Sequence, residues 1–232
     1  DVIRLGVGAS ANVVVLGGEG ADQISTGNGA GVIVGDHGAG TWRSGVLQSL
    51  ASTNDTIGGN DILLLGGGDK VVIGGVGADT IINGVSLGGP ILAGNAVVIG
   101  DAGSVTFGST GVLSAVTSAS SDTAGGADTI QLASKSAVVV GGIGEDRIAM
   151  VTTGLGLGAS TVHVSGDGGA FGYDSAGRLT AARTIANTKG AKDTISLTLD
   201  SASSVLALGG EGVGTGTTQD SITTTDSNRY IV

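Results

Sequence analysis

The sequence predicts an all-β protein, a right-handed parallel β-solenoid with hairpin extensions, and three observations lead to this fold class. Glycine accounts for 47 of the 232 residues, while 40% of the residues are hydrophobic. The same succession of short apolar strands and glycine turns returns several times along the chain. No segment shows the periodicity that requires a helix. The composition fits neither collagen, which needs glycine at every third position, nor a disordered chain.

Charge and residue usage exclude several classes of function. The chain carries 20 acidic and 10 basic residues, a net charge of −10, which argues against partnership with nucleic acid or an anionic membrane and permits cation binding. The absence of cysteine excludes disulfides, thiolate metal sites and cysteine catalysis. No apolar run is long enough for a transmembrane helix, and the residues from Asp1 onwards do not show the pattern of a signal peptide. The chain opens in mid-pattern, so we expect it to be part of a longer protein.

Internal repeats define the predicted organisation. An aspartate followed by an aliphatic strand opens a unit at Asp1, Asp61, Asp128 and Asp193, with spacings of 60, 67 and 65 residues. Each unit contains four strands, of which the first and third are expected to stack in one sheet and the second and fourth in the opposite sheet. We therefore predict one solenoid of four repeats. They span 1–60, 61–127, 128–192 and 193–232, the last being incomplete.

The strands that precede the glycine turns are apolar on both faces. Their inward residues are expected to be Val15, Val72, Val139 and Ala207. An outward apolar face of this length exceeds the few hundred Å² that a monomer usually exposes. We hypothesise that this face is covered, either by folded-back hairpins or by a neighbouring chain. The outward residues include Val14, Leu16, Val71, Ile73, Val138, Val140, Leu206 and Leu208.

Three extensions interrupt the repeats at about 39–52, 104–118 and 170–184. Each follows a Gly-Asp-x-Gly segment and consists of an aromatic residue, a short turn containing glycine and an aliphatic residue. This pattern is typical of a small hairpin. Four of the five aromatic residues of the chain lie in these extensions.

A nonapeptide of the form G-G-x-G-x-D-x-U-x, where U is a large aliphatic residue, recurs along the chain. It occupies 17–25, 74–82 and 141–149, and a stretched fourth version runs from Gly209 to Asp220. The turns on one edge of the predicted solenoid carry eleven of the twenty acidic residues. Carboxylates stacked about 4.8 Å apart repel by roughly 1 kcal/mol per pair even in water. Such a column needs a neutralising cation, unless each aspartate only shapes its own turn.

This pattern resembles the RTX-type (hemolysin-type) calcium-binding repeat family of secreted β-rolls. It is closest in style to the Gly-Asp-rich repeats of giant bacterial surface and adhesin-like proteins. The resemblance implies a β-roll or β-helix that binds Ca²⁺ through hard oxygen ligands from carboxylates and glycine carbonyls. The predicted metal residues are Asp22, Asp36, Asp61, Asp79, Asp101, Asp128, Asp146, Asp167 and Asp193, with Gly18, Gly20, Gly75, Gly77, Gly142 and Gly144.

These observations favour a structural function at the outside of a bacterial cell. We expect a secreted, calcium-stabilised segment that forms a fibre, surface layer or adhesin stalk. We also expect it to self-associate, either through its ends or laterally through the outward apolar face defined above. Two alternatives stay open: an accessory RTX-like module of a secreted enzyme, and an ice- or glycan-binding face.

No catalytic constellation is present in the sequence, so the chain is predicted not to be an enzyme. His37 and His163 are not expected to be ligands or catalysts, and the alternation of Val162-His163-Val164 places His163 at the surface. Four lysines are expected to be solvated edge charges. They are Lys70, Lys135, Lys189 and Lys192.

Overall fold

The computed structural model describes residues 1–6, 11–84, 93–120, 125–152, 158–186, 190–210 and 220–231. Within these ranges the chain forms twenty β-strands and no helix, which confirms the all-β prediction. Fourteen strands form one parallel sheet and six form an antiparallel sheet. None of the described segments is a helix long and apolar enough to cross a membrane.

The parallel sheet consists of two stacks that are joined through β19 (Thr194–Leu208), whose two halves belong to different stacks. Along the chain, strands alternate between the first and the second stack, and β20 (Ser221–Ile231) pairs with both halves of β19. The first stack contains β1 (Val2–Arg4), β3 (Gln23–Thr26), β7 (Ile62–Leu65), β9 (Thr80–Asn83), β13 (Thr129–Leu132) and β15 (Arg147–Val151). The second contains β2 (Val13–Leu16), β4 (Gly31–Val34), β8 (Gly68–Ile73), β10 (Ala93–Ile99), β14 (Ser136–Gly142) and β16 (Thr161–Asp167).

The register places like residues on top of one another. Ile24 of β3 lies between Ile3 of β1 and Leu63 of β7, which is the predicted pairing of first and third strands. In the second stack, Val15 pairs with Ile33 in the same way. Because successive side chains of a strand point to opposite faces, this register gives each stack one continuous aliphatic face.

The inward faces of the two stacks share one core. Ile24, Leu63 and Ile81 of the first stack cluster with Ile33 and Val72 of the second, and all five are fully buried. Each such side chain contributes about 1.5–3 kcal/mol by leaving water. Among the residues that the structure describes, this core contains no aromatic side chain, so its stability depends on repetition of small aliphatic layers.

The antiparallel sheet is built from three hairpins, each of which begins a few residues after a strand of the second stack ends. Leu50, Val105, Val116 and Phe171 project from these hairpins and are buried in a second cluster with the outer face of the second stack. The hairpin strands are β5 (Gly38–Arg43) with β6 (Val46–Ser52), β11 (Gly103–Phe107) with β12 (Leu113–Ser118), and β17 (Gly169–Tyr173) with β18 (Leu179–Thr184).

The hypothesis that the outer apolar face is covered is confirmed for most of that face, and the cover is the chain's own hairpin sheet. Ile73, Val138, Val140 and Leu208 are buried beneath it, whereas Val71 and Leu206 are half-buried. On β2 the cover is missing, since Val14 is 55% exposed and Leu16 is 46% exposed.

Two surface predictions are wrong. Lys70 is buried rather than solvated, because it occupies an inward position of β8. His163 points outward from β16 as predicted, but β17 covers it, and its Nδ1 lies 2.8 Å from the hydroxyl of Tyr173. Lys135 and Lys192 are exposed as expected, and Lys189 lies outside the described residues.

Candidate metal centre

A column of seven aspartates runs along one edge of the parallel sheet. Each member directly precedes a strand of the first stack or β20, so the regular pairing of those strands stacks the aspartates in register. Six of the seven are at most 3% exposed, and Asp220 is half-buried. We call these residues the aspartate column: Asp22, Asp61, Asp79, Asp128, Asp146, Asp193 and Asp220.

In the six column members from Asp61 to Asp220, one carboxylate oxygen accepts a hydrogen bond from the backbone amide of the preceding member, whereas Oδ1 of Asp22 accepts one from the amino group of Asp1. The backbone amide of Asp22 donates to Oδ1 of Asp61 at 2.7 Å, and the amide of Asp61 donates to Oδ1 of Asp79 at the same distance. The series continues to the last pair, in which the amide of Asp193 donates to Oδ1 of Asp220 at 3.0 Å. The column is therefore a continuous hydrogen-bonded ladder. In it, the backbone amide of one aspartate takes the place of water as the hydrogen-bond donor to the carboxylate of the next aspartate.

The other carboxylate oxygen lacks a hydrogen-bond partner in six members of the column. These Oδ2 atoms are also buried. An ionised oxygen in that position carries a large desolvation penalty, which a proton or a cation removes. The atoms belong to Asp22, Asp61, Asp79, Asp128, Asp146 and Asp193.

A glycine lies against each of these oxygens, at or just past the carboxyl end of a strand of the second stack. At Gly100, a Cβ would lie 2.1 Å from Oδ2 of Asp128 and 2.4 Å from the carbonyl oxygen of Gly141. Only glycine fits there, and its small size brings a carboxylate oxygen and a carbonyl oxygen close to the same point. The equivalent glycines beside the other five oxygens are Gly17, Gly35, Gly74, Gly141 and Gly166, and Gly209 has the same position beside Oδ2 of Asp220.

Sequence reasoning missed this glycine column, because it assigned the carbonyl donors to the glycines at positions two and four of the nonapeptide. Those six glycines have a separate role, since all adopt positive φ between 97° and 128°. This conformation favours glycine and forms the tight turn that leads into the aspartate. The missed signal was the glycine that recurs at or just past the carboxyl end of each strand of the second stack. The six are Gly18, Gly20, Gly75, Gly77, Gly142 and Gly144.

Three further predicted ligands, Asp36, Asp101 and Asp167, follow glycines of that column. Asp36 accepts hydrogen bonds from the amide of Gly59 at 3.1 Å and from the amide of Val76 at 2.5 Å. Asp101 makes the same two contacts, with the amides of Gly126 and Ile143. Each of these two carboxylates therefore fastens the end of a hairpin excursion to the next glycine turn.

Burial and crowding of like charges raise the pKa values along this edge. Burial is the main cause at Asp61, whose pKa rises to about 7, at Asp79, where it rises to about 9, and at Asp193, where it rises to about 8. Neighbouring carboxylates add to the rise at each position. Burial also raises the pKa values of Asp128 and Asp146 well above the usual range. Without a cation, these raised pKa values favour the protonated form of the five carboxyl groups.

One acidic group brings three carboxylates together. Oxygen atoms of Asp167, Asp193 and Asp220 lie within 4.8 Å of one another, the only such trio in the ranges that the structure describes. Carboxylate oxygens beside a glycine carbonyl are ligands of hard divalent cations, so these residues fit a metal ion of that class. Asp167 and Asp193 were predicted as ligands, whereas Asp220 was expected only as a member of the acidic edge.

The remaining predicted ligands share the edge without forming another such trio in the described part of the chain. No family model, curated protein or solved structure matches the chain.

Proposed function

We propose that the chain is a calcium-stabilised β-solenoid segment of the RTX-like type, with a structural role in a fibre, surface layer or adhesin stalk outside the cell. The observation that carries the proposal is the row of six buried Oδ2 atoms without a partner. Such a row is costly unless each position is neutralised, and a secreted repeat meets millimolar calcium, which neutralises without protons.

The strand order supports the solenoid. Each pass of the chain adds one strand to the first stack and one to the second, and the inward faces of both enclose a common core. Right-handed winding is the sense expected for parallel strands joined in this manner. Stability that arises from contacts between adjacent coils suits an elongated element whose length is set by the number of repeats.

The distribution of the acidic residues favours a structural over a catalytic role. The aspartate column runs from Asp22 to Asp220, through every predicted repeat, and from Asp61 onwards its members accept hydrogen bonds from backbone amides. Metal bound only in the folded state adds its binding free energy to folding. The nonapeptide's resemblance to RTX repeats favours calcium over other hard cations.

Self-association is part of the proposal. Most of the outward apolar face is used within the chain, so the surface that stays open to a second copy is the exposed part of β2 at Val14 and Leu16. That strand also has a free edge in the chain described here, and free edges recruit further strands.

The proposal is tested by chelation followed by circular dichroism and negative-stain electron microscopy. Exhaustive treatment with EDTA should reduce β-sheet content and thermal stability, and added Ca²⁺ should restore both. Filaments or lateral assemblies should form only with Ca²⁺. An unchanged spectrum and unfolding midpoint after chelation would rule out calcium as the organising ion, and particles that stay monomeric under all conditions would rule out the fibre.

A further inference from the structure

Lys70 lies in the interior of the two stacks, at the edge opposite the aspartate column. On β8 it pairs with Gly31 of β4 on one side and with Ala96 of β10 on the other. Ala96 and Ala137, the next residue in the same row, belong to the aliphatic core. Lys70 is 1% exposed and is among the largest fully buried side chains. A cation in this row needs specific contacts to offset its desolvation.

Backbone carbonyls supply these contacts. The Lys70 Nζ donates a hydrogen bond to the carbonyl oxygen of Gly29 at 2.6 Å and another to the carbonyl oxygen of Gly67. No carboxylate forms an ion pair with Lys70 among the described residues. The adjacent Asp69 is exposed and accepts a hydrogen bond from the amide of Asn95 at 2.8 Å. The ammonium is therefore held by carbonyl oxygens of two successive turns.

The surrounding residues are shaped to admit this side chain. A Cβ at Gly31 would lie 2.9 Å from Cδ of Lys70, so only glycine leaves room for the aliphatic stem to cross. Gly68 has φ of +84°, and a Cβ there would lie 2.3 Å from the carbonyl oxygen of Asn28. The Asn28 side chain in turn accepts a hydrogen bond from the amide of Gly67 at 2.8 Å. The two turns are thus clamped together around the amine.

We propose that this edge contains a carbonyl-lined cation site whose resident cation is the Lys70 ammonium, tethered to the chain in a position that would otherwise admit a free ion. The site selects a primary ammonium group on an unbranched alkyl stem. At this edge the cation is covalently attached to the chain. The inference does not depend on calcium binding, since no aspartate of the column takes part in it.

Chemical rescue tests the proposal. Lys70→Ala removes a group equivalent to n-propylammonium and leaves two buried carbonyls unpaired, so the midpoint of thermal unfolding should fall by about 5 °C or more. Added n-propylammonium chloride should restore part of the loss, while tetramethylammonium chloride at the same concentration should not. Lys70→Met, which fills the space without donors, should be destabilised and insensitive to n-propylammonium. The matched control is Lys135→Ala, at an exposed position.

A measurement on the unsubstituted chain guards against variants that fail to fold. In nitrogen-15 NMR, the Lys70 ammonium protons should exchange slowly with water and show coupling across hydrogen bonds to the carbonyl carbons of Gly29 and Gly67. A Lys70→Met variant as stable as the parent overturns the proposal, as do equal effects of the two ammonium salts on Lys70→Ala or a rapidly exchanging Lys70 amine. All experiments are run both in EDTA and in Ca²⁺, which separates failure of this site from failure of the calcium proposal.

Discussion

The backbone amide of Asp79 donates a hydrogen bond to Oδ1 of Asp128 at 2.7 Å, although 49 residues and a complete hairpin separate the two in sequence. The same contact joins Asp61 to Asp79, which are only 18 residues apart. The ladder is therefore indifferent to what is inserted between its members. A hairpin can be inserted between two members of the column because the aspartate that follows the hairpin accepts a hydrogen bond from the backbone amide of the member before it.

Two substitutions at Asp128 should distinguish the stabilising effect of its hydrogen bond with the Asp79 amide from the effect of its charge. Asp128→Ala removes the acceptor of the buried Asp79 amide and should lower the free energy of unfolding by about 1–3 kcal/mol in EDTA. Asp128→Asn keeps an acceptor and removes the charge, and its amide group can donate to the nearby Gly141 carbonyl. In EDTA this variant should be at least as stable as the parent. Urea unfolding measures both, and equal losses in the two variants would show that the ladder bond is unimportant.

Stability of the metal-free protein should fall as pH rises. The folded-state pKa values of Asp61, Asp79 and Asp193 are raised to about 7, 9 and 8, above the ordinary value of 3.8. Between pH 4 and 9 the folded state therefore binds more protons than the unfolded state, and stability decreases with increasing pH. Urea unfolding in EDTA at pH 5 and pH 8 measures this slope.

Calcium should weaken this pH dependence because it replaces the protons. The same urea series in saturating Ca²⁺ is the control. A metal-free protein that becomes more stable from pH 5 to pH 8 would show that the column is ionised without a cation.

Enlarging the glycine column should be strongly destabilising. In Gly100→Ala the new Cβ would overlap Oδ2 of Asp128 and the carbonyl oxygen of Gly141. The Asp128 carboxylate and the Gly141 carbonyl each accept a hydrogen bond from a backbone amide, which limits their movement. Overpacking of this kind costs about 1–3 kcal/mol, and occasionally more. Gly108→Ala is the control, since its Cβ would lie 3.7 Å from the nearest atom. Thermal unfolding should distinguish the two, and equal midpoints would contradict the tight approach at Gly100.

The third hairpin should loosen in acid through His163. Its ring stacks on Phe171 with centroids 5.9 Å apart, and burial lowers its pKa from 6.5 to about 4. Between these pH values the unfolded state binds a proton that the folded state does not, so this contribution to stability is lost as pH falls from 6.5 towards 4.

His163→Phe removes the titration while keeping the ring contact. The difference in unfolding free energy between parent and variant, measured at pH 7 and pH 4.5, should shift in favour of the variant at the lower pH. If this difference in unfolding free energy were the same at both pH values, His163 would be excluded as the source of the acid-dependent loss of stability. Because the comparison is between parent and variant, titration of the aspartates cancels.

Repetition made much of the fold predictable from sequence. Alternation in a segment such as 128–132, bounded by glycine and aspartate turns, dictates which side chains face inward, and the in-register return of Asp61 and Asp79 dictates the acidic edge. Burial of Lys70 also had a signal, because it lies two residues before the inward Val72 and so shares its face. The signal was overlooked because lysine is rarely buried without a carboxylate.

Other features have no local signature. That His163 is covered depends on how the hairpin at 169–184 folds back, which is decided by the apolar face below it rather than by its own sequence. The lack of a hydrogen-bond partner for Oδ2 of Asp128 likewise depends on how the turns at Gly100, Asp128 and Gly141 come together in the folded chain. The role of Gly100 in that meeting follows from contact distances, which periodicity alone does not provide.

Calorimetric titration of the EDTA-treated protein with Ca²⁺, in two buffers of different ionisation enthalpy, tests the cation requirement of the aspartate column most directly. The parent should bind Ca²⁺ and release protons, Asp193→Asn should bind with weaker affinity or fewer ions, and Asp174→Asn, on the third hairpin beside Arg178, should match the parent. Absence of heat and of proton release in the parent, with unchanged thermal unfolding, would contradict it and leave a column neutralised by protons alone.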